Sequence, residues 1–320
     1  MLRLSLQDLA LRIKILNIGD SIENVLSKAL DPPAAVNVQR AVGVLIEAKA
    51  LTTTEEITPL GRHLAKLPMD VHLGKFLILS CLFSCLDAAL TITAALNSKS
   101  PFVTPFGKES EAESVKRSWK LDDSDFLTVY NAYCAWRNSC ITGTDREFVR
   151  RNFLGFANLQ MIEELKQQYF GFLVDIGFLT LDDRQRREHL SWRPGRSRQR
   201  FVRVPAELDG NSCDGKIVTA CLASALYPKL LIVDQDVQAL RTLSNNAPAS
   251  IHPSSVNFTP GRKSDALKQT KYLVYGSAML TKKLYIWDSA FVDERAVLLM
   301  CGSADFQVGH RRRYRLFFTS

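Results

Sequence analysis

The hydrophobic pattern of this chain changes its period once, and the change divides the chain into two kinds of structure. Apolar residues recur at helical spacing through residues 1–182, whereas after residue 227 β-branched and aromatic residues form short runs between turn residues. A helical period cannot be satisfied within a sheet, so the two parts must fold differently. Over 320 residues, the pattern predicts an α+β fold of several domains.

The first 69 residues predict a winged-helix domain. A helical stripe begins at Leu6, and further helix starts are expected at Asp31-Pro32-Pro33 and Thr58-Pro59, because proline in the first helical turn has no amide hydrogen bond to lose. The Thr-rich stretch before Ile57 is expected to form a small β wing.

Residues 70–182 predict a helical bundle with breaks at 97–101 and 108–120. Ser124 or Asp123 is expected to cap a helix that carries an aromatic stripe. The longest apolar stretch, Phe76 to Leu96, contains Asp87 near its centre, which favours a buried helix or helix pair over a membrane span.

The remaining sequence predicts a linker followed by a small β domain. Residues 183–214 are rich in arginine and predict a linker or insertion, and residues 215–320 open with a helix over Lys216 to Tyr227. The simplest fit to the strand candidates is a five-stranded OB-like β-barrel. These candidates are Leu230–Val233, Ser255–Phe258, Tyr272–Leu280, Leu284–Trp287 and Ala296–Cys301.

Positive charge is concentrated in the second part of the chain. Residues 1–180 carry 19 Lys and Arg against 20 Asp and Glu, whereas residues 181–320 carry 22 against 13. A basic domain joined to a neutral one favours a polyanionic partner, with nucleic acid ahead of a membrane surface. The seven cysteines lie mostly in apolar runs and lack a zinc-binding pattern, which is typical of reduced thiols in a cytoplasmic or nuclear protein.

The domain order and several motifs resemble the C-terminal half of the DEAH/RHA-type ATP-dependent RNA helicases. The matching motifs are Leu30-Asp31-Pro32-Pro33 and Thr58-Pro59-Leu60-Gly61 for the winged helix, Ser124-Asp125-Phe126-Leu127 for the ratchet-like bundle, and Ala225-Leu226-Tyr227-Pro228, His252-Pro253-Ser254-Ser255 and Thr281-Lys282-Lys283 for the OB-fold. The resemblance covers almost the whole chain.

The resemblance implies a region that guides single-stranded RNA and docks onto the helicase's own tandem RecA-like motor domains. The chain itself lacks a phosphate-binding Gly-Lys-Ser/Thr loop, since the lysines after Gly74, Gly107 and Gly215 are followed by neither Ser nor Thr. We therefore expect no catalytic residues, metal or cofactor in this chain, with ATP and Mg²⁺ belonging to the absent motor. The acidic run Asp293-Glu294-Arg295 is expected to be a solvated turn.

We predict RNA contacts at the loop and hairpin that carry the OB-fold motifs. Single-strand binding needs cations, phosphate donors and exposed rings. The predicted contacts are His252, Ser254, Ser255, Thr281, Lys282 and Lys283, with possible further phosphate contacts at Arg193, Arg196, Arg198, Arg200, Arg311, Arg312 and Arg313.

Three other functions stay open at this point. A winged helix can enter the major groove of DNA, although the segment Pro59 to Lys66 carries few cations. The chain is alternatively a non-catalytic platform for helicase activators or ribonucleoprotein assembly factors. An independent enzyme is the third alternative, which would require ATP hydrolysis by this chain alone.

Overall fold

The computed structural model describes residues 5–19, 21–190, 201–234, 239–259, 270–301, 304–307 and 315–318. Its α-helices are α1 (Leu6–Ile15), α2 (Ile22–Leu26), α3 (Ala35–Glu47), α4 (Pro59–Leu64), α5 (Val71–Leu82), α6 (Leu86–Leu96), α7 (Glu109–Ser118), α8 (Asp125–Thr142), α9 (Asp145–Arg151), α10 (Phe156–Asp175), α11 (Asp183–Leu190), α12 (Gly215–Leu226) and α13 (Glu294–Met300). Its strands are β1 (Leu230–Asp234), β2 (Ala239–Thr242), β3 (Pro248–Ile251), β4 (Tyr272–Tyr275), β5 (Ala278–Leu280), β6 (Leu284–Ile286), β7 (Ser289–Val292), β8 (Ala304–Gln307) and β9 (Arg315–Phe318).

The winged-helix segment has one predicted helix start and lacks the other. Thr58 caps α4, accepting a hydrogen bond from the amide of Gly61, with proline at the first helical position as expected. The start at Asp31-Pro32-Pro33 is wrong, since α3 begins only at Ala35. Asp31 and Pro32 each precede a proline, which disfavours helical conformation for both. The wing is reduced to one isolated bridge between Leu51 and Ile57.

The bundle contains a helix in a place where the sequence predicts a break. Residues 109–118 form α7, whose first turn is acidic and whose last turn is basic, as suits the helix dipole. Because Ala112 is its one buried residue, α7 has no apolar stripe from which periodicity would reveal it. The apolar stretch after Phe76 forms the pair α5 and α6, and among the described residues no helix is both long and apolar enough to span a bilayer.

A buried polar network joins three helices of the bundle. The ammonium of Lys166, which is fully buried, lies 2.6 Å from Asp87, and the guanidinium of Arg137 lies 3.3 Å from the same carboxylate. The hydroxyl of Tyr130 donates to Asp87 at 3.2 Å. Burial alone would raise the pKa of Asp87, but the two cations outweigh burial and hold that pKa below its usual value.

The arginine-rich segment is attached to the bundle at the residues that follow it. Its start, predicted as a linker, is the helix α11. Beyond the undescribed residues 191–200, the amide of Val202 donates to Glu163 at 2.6 Å and the ring of Phe201 lies 5.5 Å from that of Trp136. The segment therefore re-enters the bundle core before α12 begins.

The basic part forms a mixed sheet that differs from the prediction in several strands. Seven strands pair in the order β5-β6-β3-β2-β1-β4-β7, all antiparallel except β3 with β6. Residues 255–258 are not a strand, and the strand in that region is β3 at 248–251. Residues 272–280 divide into β4 and β5, and β7 was not predicted.

The segment predicted as the last strand is helical. Residues 294–300 form α13, and Asp293, expected in a solvated turn, caps it by accepting from the amide of Arg295. A short apolar run such as Ala296 to Cys301 fits a strand or a buried helix equally well, so capping decides the outcome.

One hydrophobic core extends across the predicted domain boundaries. Helix α12, at the start of the predicted OB domain, packs along α5 of the bundle, and both contribute to the same cluster of buried residues. His72 of α5 is hydrogen-bonded through Nδ1 to the carbonyl of Ala225 at 2.8 Å. The boundaries at 69, 182 and 214 stay predictions, but packing is continuous between the bundle and the sheet.

We predict that Asp87→Asn destabilises the fold in a pH-dependent way. The substitution leaves Lys166 buried without its counter-ion, so the unfolding free energy at pH 7 is expected to fall by about 3 kcal/mol. Because the folded pKa of Asp87 is depressed, its stabilising contribution is present above the unfolded value of about 3.9 and is lost as the pH falls. Urea denaturation at pH 7 and pH 3 measures both effects.

The double variant Asp87→Asn/Lys166→Met is the control, because it removes both charges and is expected to recover part of the loss. The exposed Asp175→Asn should change stability by less than about 0.5 kcal/mol. An Asp87→Asn loss of equal size at both pH values would contradict the assignment of the effect to the ionised carboxylate.

Candidate nucleic-acid interface

The parallel pairing of β3 with β6 assembles the candidate site. The register places Ile251 opposite Ile286, so the residue after each strand lies beside the other. The amide of His252 continues the ladder by donating to the carbonyl of Ile286 at 2.8 Å. This pairing brings His252 and Trp287 together although 35 residues separate them in sequence.

Three rings form an aromatic cluster at this edge of the sheet. The rings of His252 and Trp287 are stacked, with centroids 3.8 Å apart and an interplanar angle of 15°. Tyr285 meets His252 edge-on at 6.0 Å and 85°. Tyr285 belongs to β6 and Trp287 directly follows it, and both rings contact His252. All three rings are half-buried, so part of each remains accessible.

The hydrogen bonds of His252 assign its tautomer. The amide of Ser254 lies 3.1 Å from Nδ1 of His252 and can only donate, so Nδ1 is the acceptor. The hydroxyl of Ser254 lies 2.7 Å from the same nitrogen. In the neutral ring the proton is therefore on Nε2, where it can donate to a ligand.

The hairpin between β5 and β6 carries the predicted lysines at its tip, which we call the lysine turn (Thr281, Lys282 and Lys283). The amide of Thr281 donates to the carbonyl of Lys283 at 3.0 Å and closes the turn. All three side chains are exposed. Within the described residues neither lysine forms an ion pair, so both ammonium groups are available to an anion.

The two predicted serines have different surroundings. Ser254 is half-buried beside His252, and its carbonyl accepts a hydrogen bond from the ammonium of Lys116 in α7. Ser255 is fully buried and its hydroxyl donates to Asp125. A buried hydroxyl with a carboxylate partner cannot reach phosphate, so the structure gives Ser255 a positioning role in place of the predicted RNA contact.

Asp125, which the sequence suggested only as part of a helix start, holds the site in place. Its carboxylate accepts hydrogen bonds from the Ser255 hydroxyl, from the amide of Val256 at 2.8 Å and from the amide of Ser289 at 3.0 Å. One side chain of α8 thus fixes the loop after His252 and the strand after Trp287. Burial raises the pKa of Asp125, and its hydrogen bonds offset only part of that rise.

A cavity of about 410 Å³ between the bundle and the sheet is unsuited to phosphate. Burial, and then the neighbouring Asp125, raise the pKa of Asp288 at its wall. The charged side chains that line it are Asp70, Asp125, Asp288 and Lys229. Because three carboxylates and one ammonium line it, this cavity is expected to repel phosphate groups.

The arginines proposed as further phosphate contacts lie outside the described residues. These are Arg193, Arg196, Arg198 and Arg200 before the sheet and Arg311, Arg312 and Arg313 near the end of the sequence. Within the described ranges, no group of three His, Cys, Asp or Glu side chains is arranged to hold a metal ion. The cysteines are all free thiols, with Cys81, Cys85, Cys221 and Cys301 buried.

The chain is similar to known protein families. The chain matches three family models in sequence order: the winged-helix part of the helicase associated domain (HA2) over residues 41–69, its ratchet-like part over 70–129, and the oligonucleotide/oligosaccharide-binding (OB) fold over 218–304. The chain carries the C-terminal domain set of the DEAH-type helicases. The aromatic cluster and the lysine turn both lie within the OB-fold match of this helicase region.

Individual helicases support the same assignment over nearly the whole chain. The DExH-box ATP-dependent RNA helicase DExH1 of Arabidopsis thaliana is 35% identical over 306 residues, covering 94% of this chain and 28% of that protein. The ATP-dependent DNA/RNA helicase DHX36 of Bos taurus is 33% identical, covering 96% and 29%. The human ATP-dependent RNA helicase DHX29 is 33% identical, covering 98% and 22%. The chain spans less than a third of the length of these relatives.

We predict that Asp125→Ala destabilises the helicase region and disorders the site. Three buried donors lose their acceptor, so the unfolding free energy should fall by about 3 kcal/mol. Asp125→Asn keeps one acceptor oxygen and should lose less. Chemical denaturation measures stability, and the exposed Asp175→Ala serves as the control with little expected change. Equal stability of Asp125→Ala and Asp175→Ala would contradict the role given to Asp125.

Proposed function

We propose that this accessory helicase region guides single-stranded RNA across the OB-fold sheet. The observation that carries the proposal is the lysine turn, whose two exposed ammonium groups form no ion pair with any described residue and which belongs to the same hairpin as Tyr285 of the aromatic cluster. Cations that track a backbone beside exposed rings are the usual elements of single-strand binding. The charge of residues 181–320, with 22 Lys and Arg against 13 Asp and Glu, favours the same polyanion.

In this proposal the contacts are mainly to the sugar-phosphate backbone. Lys282 and Lys283 neutralise phosphates, and the hydroxyl of Thr281, whose hydrogen bond to the carbonyl of Lys283 is 3.3 Å long, is the proposed phosphate donor. The Nε2 proton of His252 donates to a phosphate or a base edge. Contacts of this kind carry little sequence information, so binding is expected to tolerate many sequences.

The motor function is proposed to reside outside these residues. Relatives of this chain are named ATP-dependent helicases, and the matched domains are helicase-associated. We propose that the region docks onto RecA-like motor domains that bind ATP and Mg²⁺, and that the chain alone does not hydrolyse ATP. We also propose a cytoplasmic or nuclear location, which the free cysteine thiols favour.

We predict that Lys282→Ala/Lys283→Ala weakens RNA binding and makes it less sensitive to salt. Each phosphate contact on a single strand contributes about −0.7 to the slope of log affinity against log salt, so losing two contacts should make the slope shallower by about 1.4. Fluorescence anisotropy with a labelled twelve-nucleotide uridine RNA between 50 and 200 mM salt measures the slope.

The matched control is Lys28→Ala/Lys66→Ala, which removes the same charge from two exposed lysines of the winged-helix segment. Its slope should stay close to that of the unaltered chain. Equal changes in both variants would show that net charge alone governs binding. No binding of the unaltered chain at 50 mM salt would refute the proposed function.

A protein-interaction platform is the second candidate, favoured by the apolar edge of the sheet. Met279 and Leu280 on the edge strand β5 are 51% and 78% exposed. An exposed strand edge with apolar side chains is a surface to which another chain can pair. Absence of RNA binding at low salt, with binding retained to an activator or ribonucleoprotein assembly factor, would favour this alternative.

A further inference from the structure

The proposed contacts to the sugar-phosphate backbone of RNA leave two aromatic residues, Tyr285 and Trp287, without a role. Both contact His252; Tyr285 lies on β6, and Trp287 directly follows that strand. A tryptophan at the surface of a sheet exposes a large apolar area that burial against a neighbour would remove. Here the neighbour is a histidine ring, and the stack leaves the cluster half-buried.

We propose that the His252–Trp287 stack is a nucleobase site, onto which one base of a bound single strand stacks. The proposal deepens the RNA-guiding function and rests on it, because it specifies which part of the nucleotide the cluster recognises. Phosphates would contact the lysine turn, and the adjacent base would extend the stack of rings.

The geometry of the pair is already that of stacked aromatic rings. The centroids lie 3.8 Å apart with a tilt of 15°, and both rings are only half-buried, so a further ring can extend the stack. Every base presents a π face, so stacking adds affinity without selecting a sequence. The single Nε2 donor of His252 adds one polar contact beside the stacked base.

Hydrogen bonds also hold the pair in place before any ligand arrives. The amide of His252 is bound to the carbonyl of Ile286, and Nδ1 is held by Ser254. Asp125 fixes Val256 and Ser289, which flank the two rings in sequence. Rings that are ordered in advance lose little entropy on binding, so more of the stacking energy appears as affinity.

The test compares binding to an RNA with binding to an abasic oligomer. Anisotropy titrations of the chain use a labelled twelve-nucleotide uridine RNA and a ribose-phosphate oligomer of the same length that lacks bases. The unaltered chain is expected to bind the uridine RNA at least about five-fold more tightly than the abasic oligomer. This comparison requires no variant and so does not depend on a variant folding.

Three variants then locate the effect. Trp287→Ala is expected to weaken binding of the uridine RNA about five-fold while leaving the abasic oligomer and the salt slope unchanged. Trp287→Phe keeps a ring and should stay within about two-fold of the unaltered chain. Met161→Ala, which truncates an exposed side chain of α10 in the bundle, is the control and should change neither titration.

The outcomes separate this proposal from the function on which it rests. Salt-dependent binding with equal affinity for both oligomers would refute base stacking and leave the RNA-guiding function intact. A loss in Trp287→Ala that is equal for both oligomers would also refute it, since it would indicate a structural role for the ring. Absence of binding to either oligomer would overturn the proposed function and the stacking site together.

Discussion

The candidate site depends on one buried carboxylate that belongs to another part of the chain. Asp125 begins helix α8 of the bundle, and the three shortest hydrogen bonds of its carboxylate all go to the sheet region, to Ser255, Val256 and Ser289. Burying it is unfavourable, as its raised pKa indicates, and the loss is offset only while all these donors stay in place. A helix of the bundle thereby determines the positions of the loop after His252 and of the strand after Trp287.

The sequence predicted helix ends correctly where residues close to each end determine it. The caps at Thr58 and Ser124 and the helix that closes before Pro228 are confirmed, because capping and proline act within a few residues. The α+β class is likewise confirmed, and the basic part matches the OB-fold family, but its sheet has seven strands in the described residues where the sequence predicted five. The errors occurred where local signals were absent or ambiguous, as in α7, which has no apolar stripe, and in α13.

The candidate site was likewise predictable only where local signals determine the structure. The lysine turn was predictable, since two lysines between strand candidates mark an exposed hairpin tip, and the structure places them there. Neither the stack of His252 on Trp287 nor the burial of Ser255 could be predicted, because both follow from pairings with distant residues. The parallel register of β3 with β6 has no signature in either strand alone, and Asp125 lies 130 residues from its serine partner.

The sheet depends on the bundle because α12, which precedes the first strand, packs against α5. An excised sheet beginning at Gly215 would expose the apolar face of α12 and lack the carboxylate that orders its own surface loop. Contacts between residues so far apart in sequence close large loops and therefore form late in folding. During synthesis, the surface that carries the aromatic cluster and the lysine turn would thus remain immature until the strands have emerged and met a bundle that was completed before them.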